Sequence, residues 1–233
     1  MTMPKIIAHR GASAHAPENT LGAFQLALDH HADGIELDVM LCADKQVVVI
    51  HDDTFDRTTN GTGHVRDLTL EQLQKLDAGD GEKIPSLIEV FERFGGKFLI
   101  NIELKNYTSI FDALPIEVSK LVKSYGLEES VLISSFNPFN LGRVRKRLPD
   151  VVIGLITGIN KAQYWAWRFF NYDALHPFFS DVDEKLVAAL HTQNKQVNVW
   201  TVDDPEEIRR LAGLDVDGII TNDPLRTRRV LEV

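Results

Sequence analysis

Carboxylates interrupt two apolar runs of this 233-residue sequence that are otherwise typical of buried strands. Glu36 and Asp38 lie two residues apart in one run, and Glu103 and Lys105 repeat that spacing in another. Side chains two apart in a strand point to the same face. Three carboxylates that meet there raise each other's pKa unless a cation lies among them. Because carboxylate oxygens are hard ligands and no cysteine cluster accompanies them, the pattern predicts Mg²⁺, Ca²⁺ or Mn²⁺ at Glu36, Asp38 and Glu103.

Fixed positive charge and two imidazoles accompany these carboxylates. Arg10 and Lys105, set beside a divalent cation, favour an anionic ligand, and phosphate fits best. His9 precedes Arg10 at the end of the first apolar run, and His51 ends the run that begins at Val47. Two imidazoles on opposite sides of a phosphorus centre can act as base and acid. These residue types therefore predict phosphoryl chemistry, with His9 and His51 as the groups that transfer protons.

Nine short runs rich in Val and Ile must position these side chains. Most are apolar on both alternating faces, which is typical of buried parallel strands. The predicted strands are Lys5–His9, Gly34–Met40, Val47–His51, Phe98–Leu104, Val131–Phe136, Val151–Thr157, Ala174–Pro177, Gln196–Val202 and Gly218–Asn222. Helical patterns occupy 20–31, 86–94, 111–125, 138–147, 183–194, 205–212 and 224–231. Strands that alternate with helices indicate an α/β architecture.

One pair of predicted strands cannot be parallel. Only Leu41–Gln46 separates Gly34–Met40 from Val47–His51, whereas a parallel crossover needs roughly a dozen residues. The two runs are therefore predicted to form a hairpin, and a turn centred on Asp44 and Lys45 would set Asp38 opposite His51. Eight parallel strands remain, which is the number that closes a TIM (β/α)₈ barrel. The charged residues would then lie at the catalytic C-terminal rim of that barrel.

The chain is predicted to form a single domain, 1–233, with an inserted subdomain at 52–84 between strand 2 and helix 2. That segment is rich in Asp, Thr and Gly, and it carries one short helical pattern that opens on the capping box Thr69-Leu70-Glu71-Gln72. At the barrel rim the insertion could cover the site. Just before the first helix, the sequence favours a helix-start role for Glu18.

Composition narrows the classes of partner. The chain has 34 acidic and 25 basic residues, with a formal net charge of −9. Nucleic-acid surfaces need clustered Lys and Arg, so the acidic balance argues against a nucleic-acid partner. No apolar run approaches the roughly 18 residues of a membrane span, and the N-terminal residues lack the pattern of a signal peptide. With Cys42 as the single cysteine, we expect a cytoplasmic protein.

Taken together, the motifs are similar to those of the glycerophosphodiester phosphodiesterase family, and the similarity covers nearly the whole chain. Any one motif is weakly diagnostic, whereas all of them in this order are highly specific. The matching segments are Ile7–Gly11, Pro17–Thr20, Ile35–Val39, Val49–Asp52, Arg57–Gly61, Leu68–Leu73, Leu76–Gly79, Ile84–Leu87, Asn101–Lys105, Ser134–Phe136, Val199–Val202 and Thr221–Pro224.

This resemblance implies a TIM barrel with a small insertion and a divalent-cation-dependent hydrolase. Its substrates would be small-molecule glycerophosphodiesters, cleaved to glycerol 3-phosphate and an alcohol. The roles that it implies are acid and base for His9 and His51; metal binding for Glu36, Asp38 and Glu103; phosphate binding for Arg10 and Lys105; and packing against glycerol for Trp200. The resemblance does not indicate which histidine is the acid and which is the base. It also leaves open whether the nucleophile is water or the 2-hydroxyl of the glycerol.

Other functions fit parts of the sequence. The aromatic stretch Tyr164–Phe170 either packs on the barrel or forms an exposed apolar lip that binds a lipid tail or a second subunit, as in a homodimer. A lipid tail would indicate a lysophospholipase D-type enzyme. A non-catalytic phosphate binder should lack a histidine or a metal ligand, and a sugar-phosphate isomerase should place its phosphate site near strands 7 and 8. His176, at the end of a predicted strand, would either line the pocket or cap that strand.

Overall fold

The computed structural model of the protein describes residues 3–106, 111–158 and 169–232. The strands in these residues are β1 (Lys5–His9), β2 (Gly34–Leu41), β3 (Val47–Val49), β4 (Leu99–Leu104), β5 (Val131–Ser135), β6 (Val152–Thr157), β7 (Ala174–Pro177), β8 (Gln196–Val199) and β9 (Gly218–Thr221). The α-helices are α1 (Leu21–Asp29), α2 (Leu70–Leu73), α3 (Leu87–Phe94), α4 (Leu114–Tyr125), α5 (Pro138–Arg145), α6 (Glu184–His191), α7 (Pro205–Gly213) and α8 (Pro224–Leu231). Within the described ranges, none of the helices is long and apolar enough to cross a bilayer.

Eight parallel strands close into a barrel. Around it the order is β1, β2, β4, β5, β6, β7, β8 and β9, and β9 pairs with β1 to complete the ring. In the described residues a helix follows each barrel strand except β6, and the larger apolar core packs between the strands and the helices. The predicted TIM (β/α)₈ barrel is therefore confirmed. In this topology the strands end at one rim, which is where the site forms.

The hairpin is present, but its predicted register is wrong by one residue. Strand β3 runs antiparallel to β2, with Val39 opposite Val49 and Leu41 opposite Val47. The loop is therefore centred on Asp44 alone, and Lys45 takes the left-handed conformation, with a φ of 65°. A three-residue turn that ends in a left-handed residue is a common hairpin solution. Consequently Ile50, not His51, lies opposite Asp38, and its N–H donates to the Asp38 carbonyl at 2.9 Å.

A second, smaller apolar cluster lies beneath the segment between β3 and α3. It contains buried side chains from the hairpin and from that segment: Met40, Cys42, Val48, Ile50, Phe55, Val65, Leu73, Ala78 and Ile84. Thr69 caps α2 and Ser86 caps α3, and each forms the reciprocal capping box. This cluster holds the segment against the barrel rim, beside His51.

Candidate active site

The C-terminal ends of β1, β2, β4 and β8, with the residues just after β3, bring the predicted site residues together. A cavity of about 250 Å³ is lined by seven of the eight: His9, Arg10, Glu36, His51, Glu103, Lys105 and Trp200. The eighth, Asp38, is 1% exposed and contacts Arg10 and Lys105. Residues that are up to 191 positions apart in the sequence therefore meet in one cavity.

Three buried carboxylates form the most charged part of this site. One oxygen from each of Glu36, Asp38 and Glu103 lies within 4.8 Å of the others. Burial, with Asp38 and Glu103 nearby, raises the pKa of Glu36 well above its usual value. Its Oε1 has no hydrogen-bond partner among the residues that the structure describes. Burial likewise raises the pKa of Glu103 to about 7. Carboxylates that resist ionisation, with an unpartnered buried oxygen among them, fit a divalent cation.

Two cations flank the carboxylates. Lys105 Nζ lies 2.6 Å from Glu103 Oε1 and 3.4 Å from Asp38 Oδ1. Arg10 donates its backbone N–H to Glu36 at 3.1 Å, and its Nε lies 3.2 Å from Asp38 Oδ2. Burial opposes ionisation of Asp38, but Lys105 and Arg10 outweigh it and keep its pKa below the usual value. The site therefore pairs fixed cations with Asp38 and leaves Glu36 short of positive charge.

His9 is held by an amide from the far end of the chain. Its Nδ1 lies 2.7 Å from Asn222 Oδ1. Asp203 accepts hydrogen bonds from both the backbone and the side-chain nitrogen of Asn222, which orients the amide. The amide oxygen can only accept, so Nδ1 of His9 carries the proton and Nε2 is left unprotonated. Burial and the charge on Arg10 lower the pKa of His9 to about 4, which keeps this ring neutral.

His51 is held by a carboxylate from its own loop. Its Nδ1 lies 2.6 Å from Asp52 Oδ1, and the second oxygen of Asp52 accepts from Arg57 Nε at 2.7 Å. An ionised carboxylate only accepts, so the proton of neutral His51 lies on Nδ1 here too. Burial lowers the pKa of this imidazole despite the nearby Asp38. Both histidines therefore keep Nε2 available for proton transfer.

An ionic chain connects the two histidine loops. Arg57 donates to both oxygens of Glu18, at 2.7 and 2.8 Å, and Glu18 accepts from Arg10 Nη1 at 2.8 Å. Glu18 was expected at a helix start, but α1 begins at Leu21 with Thr20 as its cap. The carboxylate instead joins Arg10, just after β1, to Arg57 on the segment after β3. Asp52, Arg57, Glu18 and Arg10 thus form one network that positions His51 relative to the cations.

The opposite wall of the cavity is neutral. Trp200 donates its Nε1–H to the His176 carbonyl at 2.8 Å, and it packs edge-on against Phe136 and Phe178, with ring centroids 5.7 and 5.5 Å away. His176 is 1% exposed and lines the cavity rather than merely capping β7. Ile156 and Ile220 complete this wall. It offers an apolar surface with few polar atoms.

Sequence reasoning named the groups that carry charge but not the groups that orient them. The supporting residues it left without a role are Asp52, Arg57, Asn198, Asp203 and Asn222. Asn19, which was expected only at the start of the first helix, donates to Asp38 Oδ2 at 2.9 Å. Several of them lie inside the motifs of the resemblance, which was the only signal that pointed to them. The aromatic stretch Tyr164–Phe170 lies outside the described residues except for its last two positions.

Comparison with known proteins places this geometry in one family. A model of the glycerophosphoryl diester phosphodiesterase family matches residues 9–226. A glycerophosphodiester phosphodiesterase of Caldanaerobacter subterraneus subsp. tengcongensis is 46% identical over 229 residues, and the match covers 94% of each chain. One from Bacillus altitudinis is 35% identical over 243 residues and 99% of each chain. The chain therefore belongs to the glycerophosphoryl diester phosphodiesterase family, a family of hydrolases.

Solved structures agree with this assignment. A phosphodiesterase of Oleispira antarctica, solved in complex with the product sn-glycerol-3-phosphate, superposes with a TM-score of 0.89 at 29% identity, over 99% of this chain and 98% of that chain. A glycerophosphodiester phosphodiesterase of Thermotoga maritima gives a TM-score of 0.81 at 26% identity, over 99% of both chains. The barrel is therefore the one this family uses, and the first of these structures holds a small glycerol phosphate.

Proposed function

We propose that this protein is a metal-dependent glycerophosphodiester phosphodiesterase that releases glycerol 3-phosphate and an alcohol. The observation that carries the proposal is the meeting of three buried carboxylates with Arg10 and Lys105 between two imidazoles that both present Nε2. The product bound to the Oleispira antarctica relative supports the same substrate class. We propose the organisation expected from the sequence, one domain over 1–233 with an insertion at 52–84. A cytoplasmic location and a homodimer stay predictions.

Glu36, Asp38 and Glu103 would hold the divalent cation. When bound, it would neutralise the excess negative charge of these carboxylates and polarise the phosphate ester. Arg10 and Lys105 would bind the remaining phosphate charge, since both already lie among the carboxylates that surround the site. Trp200 would pack against the glycerol. The choice among Mg²⁺, Ca²⁺ and Mn²⁺ depends on ligand number and cavity size.

His9 and His51 would transfer the two protons of the reaction. One accepts a proton on Nε2 from the attacking hydroxyl. The other, whose neutral form also carries its proton on Nδ1, would first take up a second proton on Nε2 from solvent and then donate that proton to the leaving alkoxide oxygen. Asn222 and Asp52 hold the rings in the required tautomer. The attacking hydroxyl belongs either to water or to glycerol C2, and a cyclic glycerophosphate trapped during turnover would exclude direct water attack as the only route.

A substrate panel tests this function. We expect glycerol 3-phosphate from glycerophosphocholine and glycerophosphoethanolamine when divalent cation is present. Lysophosphatidylcholine, tested in parallel, decides whether a lipid tail is accepted, because the exposed-lip hypothesis for Tyr164–Phe170 falls mostly outside the described residues. Absence of glycerol 3-phosphate with every diester and every cation would contradict the proposal.

A further inference from the structure

A second cavity opens beside the one that forms the candidate active site. Its volume is about 200 Å³, and Lys105 lines both cavities. Its walls come from the loop between β2 and β3, the segment after β3 and the residues that follow β4, which contribute Cys42, Asp53 and Asn106 among others. The described residues that line it include none of the proposed metal ligands and neither proton-transferring histidine.

Strand alternation places this second cavity one step nearer to the rim than the carboxylates. Met40 lies two residues beyond Asp38 on β2, and Lys105 lies two residues beyond Glu103 on β4. The Lys105 N–H donates to the Val39 carbonyl at 2.9 Å, so β2 and β4 stay paired up to this level. Side chains two apart share a face, and two residues of a strand span about 6.6 Å. The second cavity is therefore within a short alcohol's reach of the carboxylates.

A phosphodiester needs two binding surfaces besides the one for its phosphate. Its two ester arms diverge from phosphorus, and the neutral wall around Trp200 would take the glycerol arm. The alcohol arm then points away from that wall. Lys105, which we propose as a phosphate-binding residue, is the side chain that the two cavities share. An alcohol arm that leaves phosphorus on the Lys105 side enters the second cavity.

Hydrogen bonds hold the walls of this cavity in place. Ala43, in the loop between β2 and β3, donates its N–H to the Leu68 carbonyl at 2.9 Å, which ties that loop to the segment after β3. On the other side, Asp112 Oδ1 accepts from Asn106 Nδ2 at 3.3 Å and from the Leu114 N–H at 3.0 Å. The cavity is therefore already formed in the protein without a ligand.

Side chains of both charges line this cavity, with Asp53 and Asp112 among the acids and Lys45 among the bases. Asp53 and Lys45 are exposed, so a ligand in the cavity can reach them. The mixture of charges suits a polar alcohol better than a second phosphate, which needs clustered cations, or an acyl chain, which needs an apolar surface.

We propose that the second cavity binds the alcohol arm of the diester and that its charges determine which alcohols are preferred. It takes short polar alcohols: Asp53 and Asp112 favour one that carries an ammonium group, such as ethanolamine, and Lys45 disfavours it. The inference rests on the proposed function, because it takes a glycerophosphodiester as the substrate. It assigns the choice of leaving alcohol to residues separate from those that transfer protons.

Two substrates that both release glycerol 3-phosphate test the proposal. Glycerophosphoethanolamine carries an ammonium group on its alcohol arm, and glycerophosphoglycerol carries a neutral glycerol there. The measured quantity is the ratio of kcat/KM for the first substrate to kcat/KM for the second. In 0.15 M salt, exposed charges more than about 8 Å away are largely screened, so the ratio reports on nearby groups. A general loss of activity in a variant cancels from this ratio.

Opposite charge reversals at two exposed positions should move the ratio in opposite directions. Asp53→Lys should lower it and Lys45→Glu should raise it, each by roughly 2- to 5-fold, as for an exposed charge pair. Lys75→Glu is the matched control, because Lys75 lies on the segment after β3, does not line the cavity and forms an exposed ion pair with Glu71. It should leave the ratio unchanged.

Any other pattern would overturn the proposal. A ratio that keeps its wild-type value in either cavity variant, that moves in the same direction in both, or that shifts equally in Lys75→Glu shows that the alcohol arm lies elsewhere. Failure of the proposed function looks different, because the wild type would then release no glycerol 3-phosphate from either substrate.

Discussion

The two halves of the cavity wall differ in kind. Of the described residues that line the cavity, the charged ones lie in the half built by β1, β2, β4 and the residues after β3. The carboxylates and imidazoles of this half have shifted pKa values. The half built by β5 to β9 presents aromatic and aliphatic side chains and one neutral imidazole. A phosphodiester has the same division, with its charge at one end and a neutral glycerol at the other. Changes in the charged half should therefore affect kcat, and changes in the neutral half should affect KM.

Loss of either imidazole that we propose as acid or base should give the largest effect. His9→Ala and His51→Ala should each lower kcat by roughly 10²- to 10⁴-fold, which is the usual contribution of a positioned acid or base. The folded state should persist, since neither ring belongs to the apolar core. Steady-state kinetics and thermal melts check both statements. His191→Ala is the matched control, because His191 lies on α6 outside the cavity and should leave kcat unchanged; wild-type activity in His9→Ala would remove His9 from the mechanism.

Glu103→Gln should raise the free energy of unfolding of the metal-free protein. The size of this increase over wild type should depend on pH. The folded-state pKa of Glu103 is about 7, above its usual value of 4.5. A carboxyl group whose pKa is raised in the folded state contributes stability at pH values below its unfolded-state pKa. That stability is lost as the pH rises through its folded-state pKa. The gain from Glu103→Gln should therefore grow between pH 5 and pH 8, towards roughly 3 kcal/mol.

This prediction is tested by comparing the free energy of unfolding of Glu103→Gln with that of wild type at each pH. Buried His9 and His176 titrate in the opposite direction, so the wild-type stability profile alone mixes the effects. Denaturant unfolding of wild type and Glu103→Gln, in chelator at pH 5 and pH 8, isolates the carboxyl. A gain that is the same at both pH values would show that Glu103 is ionised throughout.

Breaking the ionic chain should give an intermediate effect. Arg57→Met frees Asp52 and Glu18 together, so His51 and Arg10 lose their alignment. Residues that orient catalytic groups typically contribute roughly 10- to 100-fold to activity, and we expect kcat to fall within that range with little change in KM. Arg66→Met is the control, because Arg66 lies on the same segment and its ion pair in the described part of the chain is with the exposed Asp67. Equal kinetics of the two variants would contradict a role for the network.

Trp200→Leu should give the smallest change, and the change should be in KM. The substitution removes an aromatic surface and the hydrogen bond to the His176 carbonyl, but no charged group. We expect KM for glycerophosphocholine to rise about tenfold with kcat nearly unchanged, which is the signature of lost uniform binding. A fall in kcat comparable to that of His51→Ala would contradict the proposed division of the cavity.

Local pattern was enough to predict the barrel and its charged residues. The alternation in Glu36-Leu37-Asp38 places two charges on one face of a buried strand, and this signal needs no tertiary information. The hairpin register failed by one residue because Lys45 takes a left-handed conformation, which depends on the turn rather than on hydrophobic pattern. Asn222 meets His9 across 213 positions. Such contacts arise only when the barrel closes, so composition and periodicity cannot predict them.

Phosphodiester hydrolysis by this protein should depend on a divalent cation held by the three buried carboxylates. The most direct measurement removes all metal with chelator, then titrates Mg²⁺, Ca²⁺ or Mn²⁺ back while bound metal and glycerol 3-phosphate release are measured on the same sample. We expect no activity without metal and activity that rises in proportion to the metal bound, with metal binding and activity both lost in Glu36→Gln. Full turnover by protein shown to contain no metal would contradict it.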